Sequence, residues 1–169
     1  MGDFYAEKLV QRKKTGKDIL VKCLMIALTV LAVFTVPFLP FGIILVLLMI
    51  GLDILVLRSL DVEFEYQYIN GDIDIDKILH RERRKNVFSA NIRDMELLAP
   101  AGTPQLDGFR SSSVYDFTSG SGSGPVYEMI IAADGTVSRV LFEPGEKMVE
   151  GIWMQAPGKV VRGQISAGS

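Results

Sequence analysis

Residues 23–52 form an apolar stretch that contains no charged side chain. A single helix needs about 20 residues to cross a hydrocarbon core of about 30 Å, so this stretch is too long for one crossing. It stays apolar when extended outward to Ile19 and Leu57, and Pro37 and Pro40 lie near its middle. We therefore predict a transmembrane hairpin within residues 16–58, with helices at about 17–36 and 42–57 joined by a proline-containing turn.

A cleaved signal peptide is the alternative explanation for this region, because basic residues precede the apolar stretch. However, the sequence shows no short apolar segment followed by a small-residue cleavage site, and the first apolar segment leads directly into a second one. We therefore favour a retained two-helix hairpin.

Basic residues flank the predicted hairpin on both sides and are absent from its turn. They include Lys8, Arg12, Lys13, Lys14, Lys17 and Lys22 before the spans and Arg58 after them. Lysine and arginine near span ends mark the cytoplasmic side. We therefore predict a multi-pass protein of the plasma (cytoplasmic) membrane with both termini in the cytoplasm, and a basic cytoplasmic N-terminal segment at residues 1–15. The only cysteine, Cys23, lies in the first span, which agrees with a reducing compartment.

One lysine and one aspartate stand near the inner ends of the predicted spans. Lys22 and Asp53 lie at similar sequence distances from a turn near Leu39, so we place them at similar depth. Charged groups within a membrane are costly and often functional, so an ion or proton site is one interpretation. No second acid or histidine lies deeper to continue a relay. We therefore favour an interface ion pair, or two side chains that reach separately to the headgroups.

The sequence after the hairpin is typical of a small β-domain. Residues 61–69 alternate between apolar and polar side chains, and Asn70-Gly71 then favours a tight hairpin to a second strand at 72–76. Residues 126–132 and 136–142 form a second predicted hairpin. The remaining predictions are strands at 86–92, 95–98 and 112–117, a basic connection at 77–86 and a flexible Gly-Ser connection at 119–124.

An amphipathic helix is predicted after residues 143–144. Its apolar face contains Met148, Val149, Ile152 and Trp153. Several short strands followed by one such helix is the order of a pleckstrin-homology-like (PH-like) barrel, in which Trp153 would be the main apolar anchor. The same order also fits a generic α+β sandwich, and we favour the barrel. The predicted fold is therefore a membrane α-helical hairpin, an α+β or mainly-β PH-like barrel with a C-terminal helix at residues 59–157, and a flexible tail at 158–169.

Several segments together resemble a known family. They are Met1-Gly-Asp-Phe-Tyr5 with Lys13-Lys-Thr-Gly-Lys17, Glu63-Phe-Glu-Tyr66 with residues 69–77, Leu97-Leu-Ala-Pro100, and residues 142–148. They resemble small two-pass membrane proteins of unknown function that are common in clostridia, and the resemblance covers nearly the whole chain. The chain is also similar, more loosely, to bacterial membrane proteins that place a PH-like domain behind a two-helix anchor. Neither resemblance implies catalytic residues.

A basic run is the main candidate functional feature of the β-domain. It consists of Arg81, Arg83, Arg84 and Lys85. If the domain is tethered at the inner membrane surface, these residues can contact anionic lipid headgroups, and each such charge contributes on the order of 1 kcal/mol. The run can equally balance the acidic hairpin beside it in the sheet. Both interpretations stay open at this point.

No constellation for catalysis, for a cofactor or for a metal can be assembled from the sequence. His80 is the only histidine, and the only cysteine lies in a predicted span. We expect His80 to be solvated, and the acids of residues 61–76 to lie on the solvent face of their hairpin rather than to bind a cation. The net charge of −2 also argues against a nucleic-acid partner.

These observations favour a membrane-anchored binding or scaffolding module without enzymatic activity. Its PH-like domain would bind anionic lipid headgroups or a protein partner. The alternative is a small accessory subunit of a membrane transport or envelope complex that acts through its transmembrane hairpin.

Overall fold

A computed structural model describes residues 4–79, 83–122 and 124–163. Within these residues, two long apolar helices near the N-terminus are combined with eight strands and a shorter C-terminal helix. In chain order the elements are β1 (Tyr5–Gln11), α1 (Gly16–Thr35), α2 (Gly42–Ser59), β2 (Val62–Ile69), β3 (Asp72–Leu79), β4 (Arg83–Asn91), β5 (Met95–Pro100), β6 (Ser113–Asp116), β7 (Tyr127–Ala133), β8 (Thr136–Phe142) and α3 (Glu146–Gln155).

Helices α1 and α2 expose almost their entire apolar surface. Only Ala32 in α1 and Gly42 in α2 are buried. Both helices are long and apolar enough to cross a membrane. The core helix of a water-soluble protein would be mostly buried, so this exposure favours a lipid environment for the pair.

The start of α2 lies in close contact with the end of α1. A Cβ atom on Gly42 would lie 2.6 Å from Val36 Cα, so the missing side chain allows α2 to start directly against the end of α1. Pro37 and Pro40 lie between the helices, where no helical hydrogen bond is lost. At the other end, Asp18 accepts a hydrogen bond from the Thr15 amide at 2.8 Å, which satisfies a donor before the first turn of α1.

The helical hairpin is inserted between two neighbouring strands of one sheet. Strand β1 precedes α1, and it pairs antiparallel with β2, which follows α2, from Tyr5 opposite Ile69 to Gln11 opposite Glu63. The β-domain is therefore built from two separate chain segments. This corrects the prediction that residues 1–15 form a segment apart from the domain. The pairing was missed because it joins residues on either side of the whole hairpin.

Two four-stranded sheets and α3 enclose one main core. The strand orders are β1-β2-β3-β4 and β5-β7-β8-β6, and only the β6–β8 pair is parallel within the described residues. The core combines side chains from both sheets with Met148 and Ile152 of α3. Tyr66 of β2 and Phe142 of β8 meet edge to face, with ring centroids 5.6 Å apart. The predicted class, a helical hairpin followed by a mainly-β domain with a C-terminal helix, is confirmed.

The two predicted β-hairpins are present, but two acidic side chains of the first hairpin are buried where exposure was predicted. Asn70 and Gly71 have positive φ values of 50° and 107°, as a tight turn between β2 and β3 requires. However, Glu63 and Glu65 are only 6% and 5% exposed, although the alternation predicted them on the solvent face. The prediction was wrong because β2 lies between β1 and β3, whose side chains cover its outer face.

The basic connection predicted at 77–86 is largely strand. Strand β3 continues to Leu79 and β4 begins at Arg83, with Lys77 opposite Lys85 in the register. Charged side chains are tolerated here because β4 is an edge strand of the sheet, and edge strands often carry lysine and arginine.

Helix α3 packs through a face that is shifted from the predicted one and includes Gly151. Met148, Val149 and Ile152 are buried, whereas Trp153 is 37% exposed and the Arg162 guanidinium lies 3.8 Å from the centre of its ring. Trp153 is about 140° around the helix from Met148, because each residue turns by about 100°. The expectation that Trp153 is the main apolar anchor is therefore wrong.

The first residues of the predicted flexible tail are packed against the domain. Val160 forms a bridge with Leu98 of β5, and the Val161 amide donates to the Leu98 carbonyl at 2.8 Å. Val160 and Val161 thus lie alongside β5 at the edge of the second sheet. The remaining residues of the predicted tail, 164–169, lie outside the described part of the chain.

Candidate functional site

One end of the first sheet lies next to the two helices. Strand β1 ends at Gln11 just before α1, and β2 begins at Val62 just after α2. The register places Val62 opposite Leu79, and Leu79 opposite Arg83. The end of β1, the start of β2, the end of β3 and the start of β4 therefore meet at one side of the sheet, which we call the helix-proximal edge.

The predicted basic run is located at the helix-proximal edge. Arg83, Arg84 and Lys85 are the first three residues of β4, and all three are exposed. Side chains alternate along a strand, so Arg83 and Lys85 share one face and Arg84 lies on the other. Arg81 and the predicted solvated His80 both lie outside the described residues.

Arg84 belongs to a network of acids on the sheet face that is turned away from the core. It forms an ion pair with the buried carboxylate of Glu65, and its Nε lies 3.7 Å from Asp76 Oδ2. Burial raises the pKa of Glu65, and a hydrogen bond with Glu7 adds to that rise. A hydrogen bond from Tyr5 instead lowers the pKa of Glu7. Arg84 thus balances the acidic hairpin, which was the second interpretation of the basic run.

Asp53 is hydrogen-bonded to a threonine rather than paired with Lys22. Thr29 Oγ1 donates to Asp53 Oδ2 at 2.6 Å across the helix pair. Lys22 lies two helical turns before Thr29, which corresponds to about 10 Å along the axis. The predicted Lys22–Asp53 pair is therefore corrected. The prediction placed the centre of the turn near residue 39. Thr29 and Asp53 are equally distant in sequence from residue 41, so a turn centred there places Asp53 level with Thr29.

A cavity of about 560 Å³ opens at the helix-proximal edge. It lies between the segment that joins β1 to α1 and the loop that follows β6. Arg12, Lys13 and Lys14 line one side, and Thr118, Ser119 and Gly120 line the other. The cavity is thus located directly beside the first turn of α1.

The loop wall of this cavity is fastened to the core by buried hydrogen bonds. Tyr66 Oη donates to the Phe117 carbonyl at 2.6 Å. The amide and hydroxyl of Ser119 donate to Glu143 Oε1 at 3.1 and 2.7 Å, and both residues are 3% exposed. The Lys13 amide donates to the Ser119 carbonyl at 2.7 Å, which ties the two walls together. The start of the predicted flexible Gly-Ser connection is therefore held in place.

This cavity was not predicted from the sequence, although the three basic residues of one wall were noted. Arg12, Lys13 and Lys14 served there only to orient the hairpin. Their position directly before α1 was an available signal for a site at the membrane surface. The opposite wall is about a hundred residues further along the chain, and no local pattern links Ser119 to Glu143.

The described residues contain no arrangement typical of a metal site. Among the residues that the structure describes, no group of three or more His, Cys, Asp or Glu side chains is arranged to hold a metal ion. Cys23 is a free thiol on the exposed surface of α1.

The sequence model of a family described as "Bacterial PH-like domain (DUF6106)" matches residues 2–162. The chain belongs to this family. The match confirms the PH-like fold that the strand order predicted, and it includes both β1 and the helical hairpin. PH-like domains are generally non-catalytic. No curated protein and no solved structure matches the chain. The resemblance to clostridial two-pass proteins stays a prediction.

Proposed function

We propose that this chain is a non-enzymatic, membrane-anchored module. The α1–α2 hairpin crosses the membrane twice and holds the PH-like domain with its helix-proximal edge against anionic lipid headgroups. The observation that carries this proposal is the register of the first sheet, which brings basic residues from three separate chain segments to the edge beside the helices.

The position of β1 supports a retained hairpin over a cleaved signal peptide. Cleavage after α1 would remove a strand whose Ala6 and Val10 are buried in the core. The β1–β2 pairing also favours one side of the membrane for both flanks of the hairpin, because paired strands cannot lie on opposite sides. Together with the basic flanks, this supports cytoplasmic termini.

The charges at the helix-proximal edge favour contact with an anionic surface. They are contributed by Arg12, Lys13, Lys14, Lys17, Arg58, Arg83 and Lys85. Each basic residue near an anionic leaflet contributes about 1 kcal/mol, and the effect decays within a Debye length of about 10 Å. The short connections at 12–15 and 60–61 keep the edge within that distance of the helix ends.

The role of accessory subunit, with the hairpin as the interacting part, is less well supported. The polar group of Asp53 is turned toward Thr29 within the pair, and its Oδ1 atom is buried. The outward surface of the helices is then dominated by apolar side chains, which suits lipid and offers a partner helix little to recognise.

The proposal can be tested with the full chain in nanodiscs. A fluorophore is attached through Lys85→Cys at the helix-proximal edge, or through Arg93→Cys beyond the opposite end of β4, each in a Cys23→Ser background. The two positions are separated by at least about 20 Å along the strand, at about 3.3 Å per residue. Headgroup-labelled nitroxide lipids report proximity to the membrane surface. We expect several-fold stronger quenching at position 85, and a decrease when phosphatidylglycerol is replaced by phosphatidylcholine.

Equal quenching at the two positions would contradict the proposed placement of the domain. If quenching is stronger at position 85 but is the same in phosphatidylglycerol and in phosphatidylcholine, the proposed contact with anionic headgroups would be contradicted. Reporter fusions at both termini test the orientation separately, and a reporter on the outer side of the membrane would overturn the cytoplasmic assignment.

A further inference from the structure

We propose that the cavity between residues 12–14 and 118–120 binds a phosphate-bearing ligand at the membrane surface. This inference deepens the proposed function and rests on it, because it assumes that the helix-proximal edge faces lipid headgroups. It goes further by assigning one defined site, distinct from general attraction to the basic edge.

The charge of the cavity favours an anion. Arg12, Lys13 and Lys14 are three consecutive bases on one wall, and Asp116 is the one acid among the lining residues. Asp116 Oδ1 accepts hydrogen bonds from the Thr118 amide at 2.9 Å and from its hydroxyl at 2.7 Å. Asp116 thus accepts hydrogen bonds within its own loop. With three basic residues and one acid, the lining has a net positive charge.

The size and position of the cavity suit a headgroup better than a bare ion. Its volume of about 560 Å³ is within the range of about 300–1,000 Å³ that is typical of small-molecule sites. Lys14 and Thr15 lie directly before the first residue of α1, so the opening is at the level where a span meets the headgroups. The shared chemistry is a phosphate group, carried either by an anionic lipid or by a free phosphate compound.

The loop wall of the cavity is built in advance. Ser119 is held by Glu143 on β8 and by the Lys13 amide on the facing wall. Both Ser119 and Glu143 are almost completely buried. A wall fastened in this way needs little ordering when a ligand binds, which favours binding.

Lipid retention by the full chain tests the site. The chain is held in detergent micelles containing equal amounts of phosphatidylglycerol and phosphatidylcholine, and native mass spectrometry counts the lipids that stay bound. The test variant combines Arg12→Gln, Lys13→Gln and Lys14→Gln. The matched control combines Lys17→Gln, Lys22→Gln and Arg58→Gln, which removes the same charge from α1 and α2 outside the cavity.

Both variants remove charge close to the lipid headgroups, so we expect both to lose part of the preference for phosphatidylglycerol. The test variant should lose at least tenfold more of it than the control. An additional variant, Asp116→Asn, keeps an oxygen that accepts from Thr118 while removing the only acid of the lining. It should strengthen retention several-fold, a gain that partial unfolding cannot produce.

A second arm distinguishes the source of the phosphate. Inorganic phosphate is titrated into phosphatidylcholine micelles while the amide resonances of Ser119 and Gly120 are followed. Saturable shifts that vanish in the test variant, without preferential lipid retention, would assign the site to a free phosphate compound. Equal losses in the test and control variants would overturn the site and leave the proposed function standing. No preference in the unmodified chain and no phosphate-induced shift would overturn both.

Discussion

Neighbouring arginines at the start of β4 have different surroundings. Arg84 is paired with the buried carboxylate of Glu65, whereas Arg83 lies on the opposite face of the same strand. A buried carboxylate that loses its cation keeps the full cost of its desolvation. The run of bases therefore contains one residue, Arg84, that is paired within the sheet, and a neighbour, Arg83, on the opposite face.

We expect Arg84→Ala to lower the free energy of unfolding by about 1 kcal/mol at pH 7, because the arginine is half-exposed and the pair is partly screened. Burial raises the pKa of Glu65, so folding favours its protonated form. The stability that this protonation contributes is present at low pH and is lost as the pH rises through the pKa of Glu65 in the folded state. The effect of the substitution should accordingly be smaller at pH 4 than at pH 7. Urea unfolding at both pH values measures it.

Arg83→Ala is the matched control for this experiment and should change stability by less than about 0.5 kcal/mol. Equal effects of the two substitutions, or a larger effect of Arg84→Ala at pH 4, would contradict the role of Arg84 as the partner of Glu65.

Tyr68 makes the domain sensitive to alkali. It is fully buried, and burial raises the pKa of its phenol to about 12 from a usual value of 10.0. The folded state therefore holds this proton more tightly than the unfolded state, so its contribution is complete below pH 10 and is lost as the pH rises toward 12. Tyr68→Phe should reduce the fall in stability above pH 10, at a cost of about 1 kcal/mol at neutral pH for the lost hydrogen bond to the Gly151 carbonyl.

Unfolding by guanidinium between pH 8 and pH 11.5 measures this effect. Tyr115→Phe serves as the control because its ring is 40% exposed. If Tyr68→Phe leaves the alkaline fall unchanged, the buried phenol is not its source.

Among the elements, the helical hairpin depends on close contact at its turn. The backbones of Gly42 and Val36 lie directly against each other. A backbone atom cannot move aside as the end of a flexible side chain can, so a Cβ at position 42 would have no space. Along the rest of the pair almost all side chains are at least partly exposed. The turn therefore limits how the helices can be arranged.

Gly42→Ala should destabilise the hairpin by about 1–3 kcal/mol, because its Cβ would lie 2.6 Å from Val36 Cα. Gly51→Ala is the control, since no atom lies within 4 Å of a Cβ placed there. It should be neutral or slightly stabilising, because alanine favours a helix by about 1 kcal/mol over glycine. Far-UV circular dichroism during titration with sodium dodecyl sulfate compares the two. A similar loss in both variants would rule out the steric explanation.

At the scale of the whole molecule, β1 and β2 form an antiparallel pair whose connecting turn is replaced by the helices α1 and α2. The Arg12 amide donates to the Val62 carbonyl at 3.0 Å, which continues the β1–β2 ladder up to the insertion. The soluble domain therefore needs residues from both sides of α1 and α2. A fragment that starts after α2 would lack β1 and expose the edge of β2.

We expect a chain in which residues 13–61 are replaced by Asn-Gly to fold as a water-soluble domain, because this dipeptide suits a two-residue turn between Arg12 and Val62. The fragment 62–169 is the comparison, and it should unfold at clearly lower urea concentration since it lacks the buried Ala6 and Val10. Circular dichroism during urea titration tests both chains. Equal stability would show that β1 contributes nothing to the domain.

Local features of the sequence predicted much of this architecture. The apolar stretch predicted α1 and α2, and Asn70-Gly71 predicted the turn between β2 and β3. Non-local contacts could not be predicted in the same way. The alternation in β2 could not show that β1 and β3 cover Glu63 and Glu65, and the Gly-Ser composition suggested flexibility where Glu143 holds Ser119.

The candidate site was likewise only partly predictable from the sequence. The basic residues were visible in the sequence, but their partners and their grouping were not. Arg84 was indistinguishable from Arg83 until the register placed it beside Glu65. The cavity was not foreseeable, because residues 12–14 and 118–120 meet only through the fold.

The sequence by itself determined that this chain carries two helices able to span a membrane, because length and apolar composition are properties of a continuous segment. It also determined that a β-rich domain with a C-terminal helix follows. Only the tertiary structure decided that β1 joins that domain from the other side of the hairpin. The same pairing decided which charges meet at the helix-proximal edge, because strand register sets neighbours that are distant along the chain.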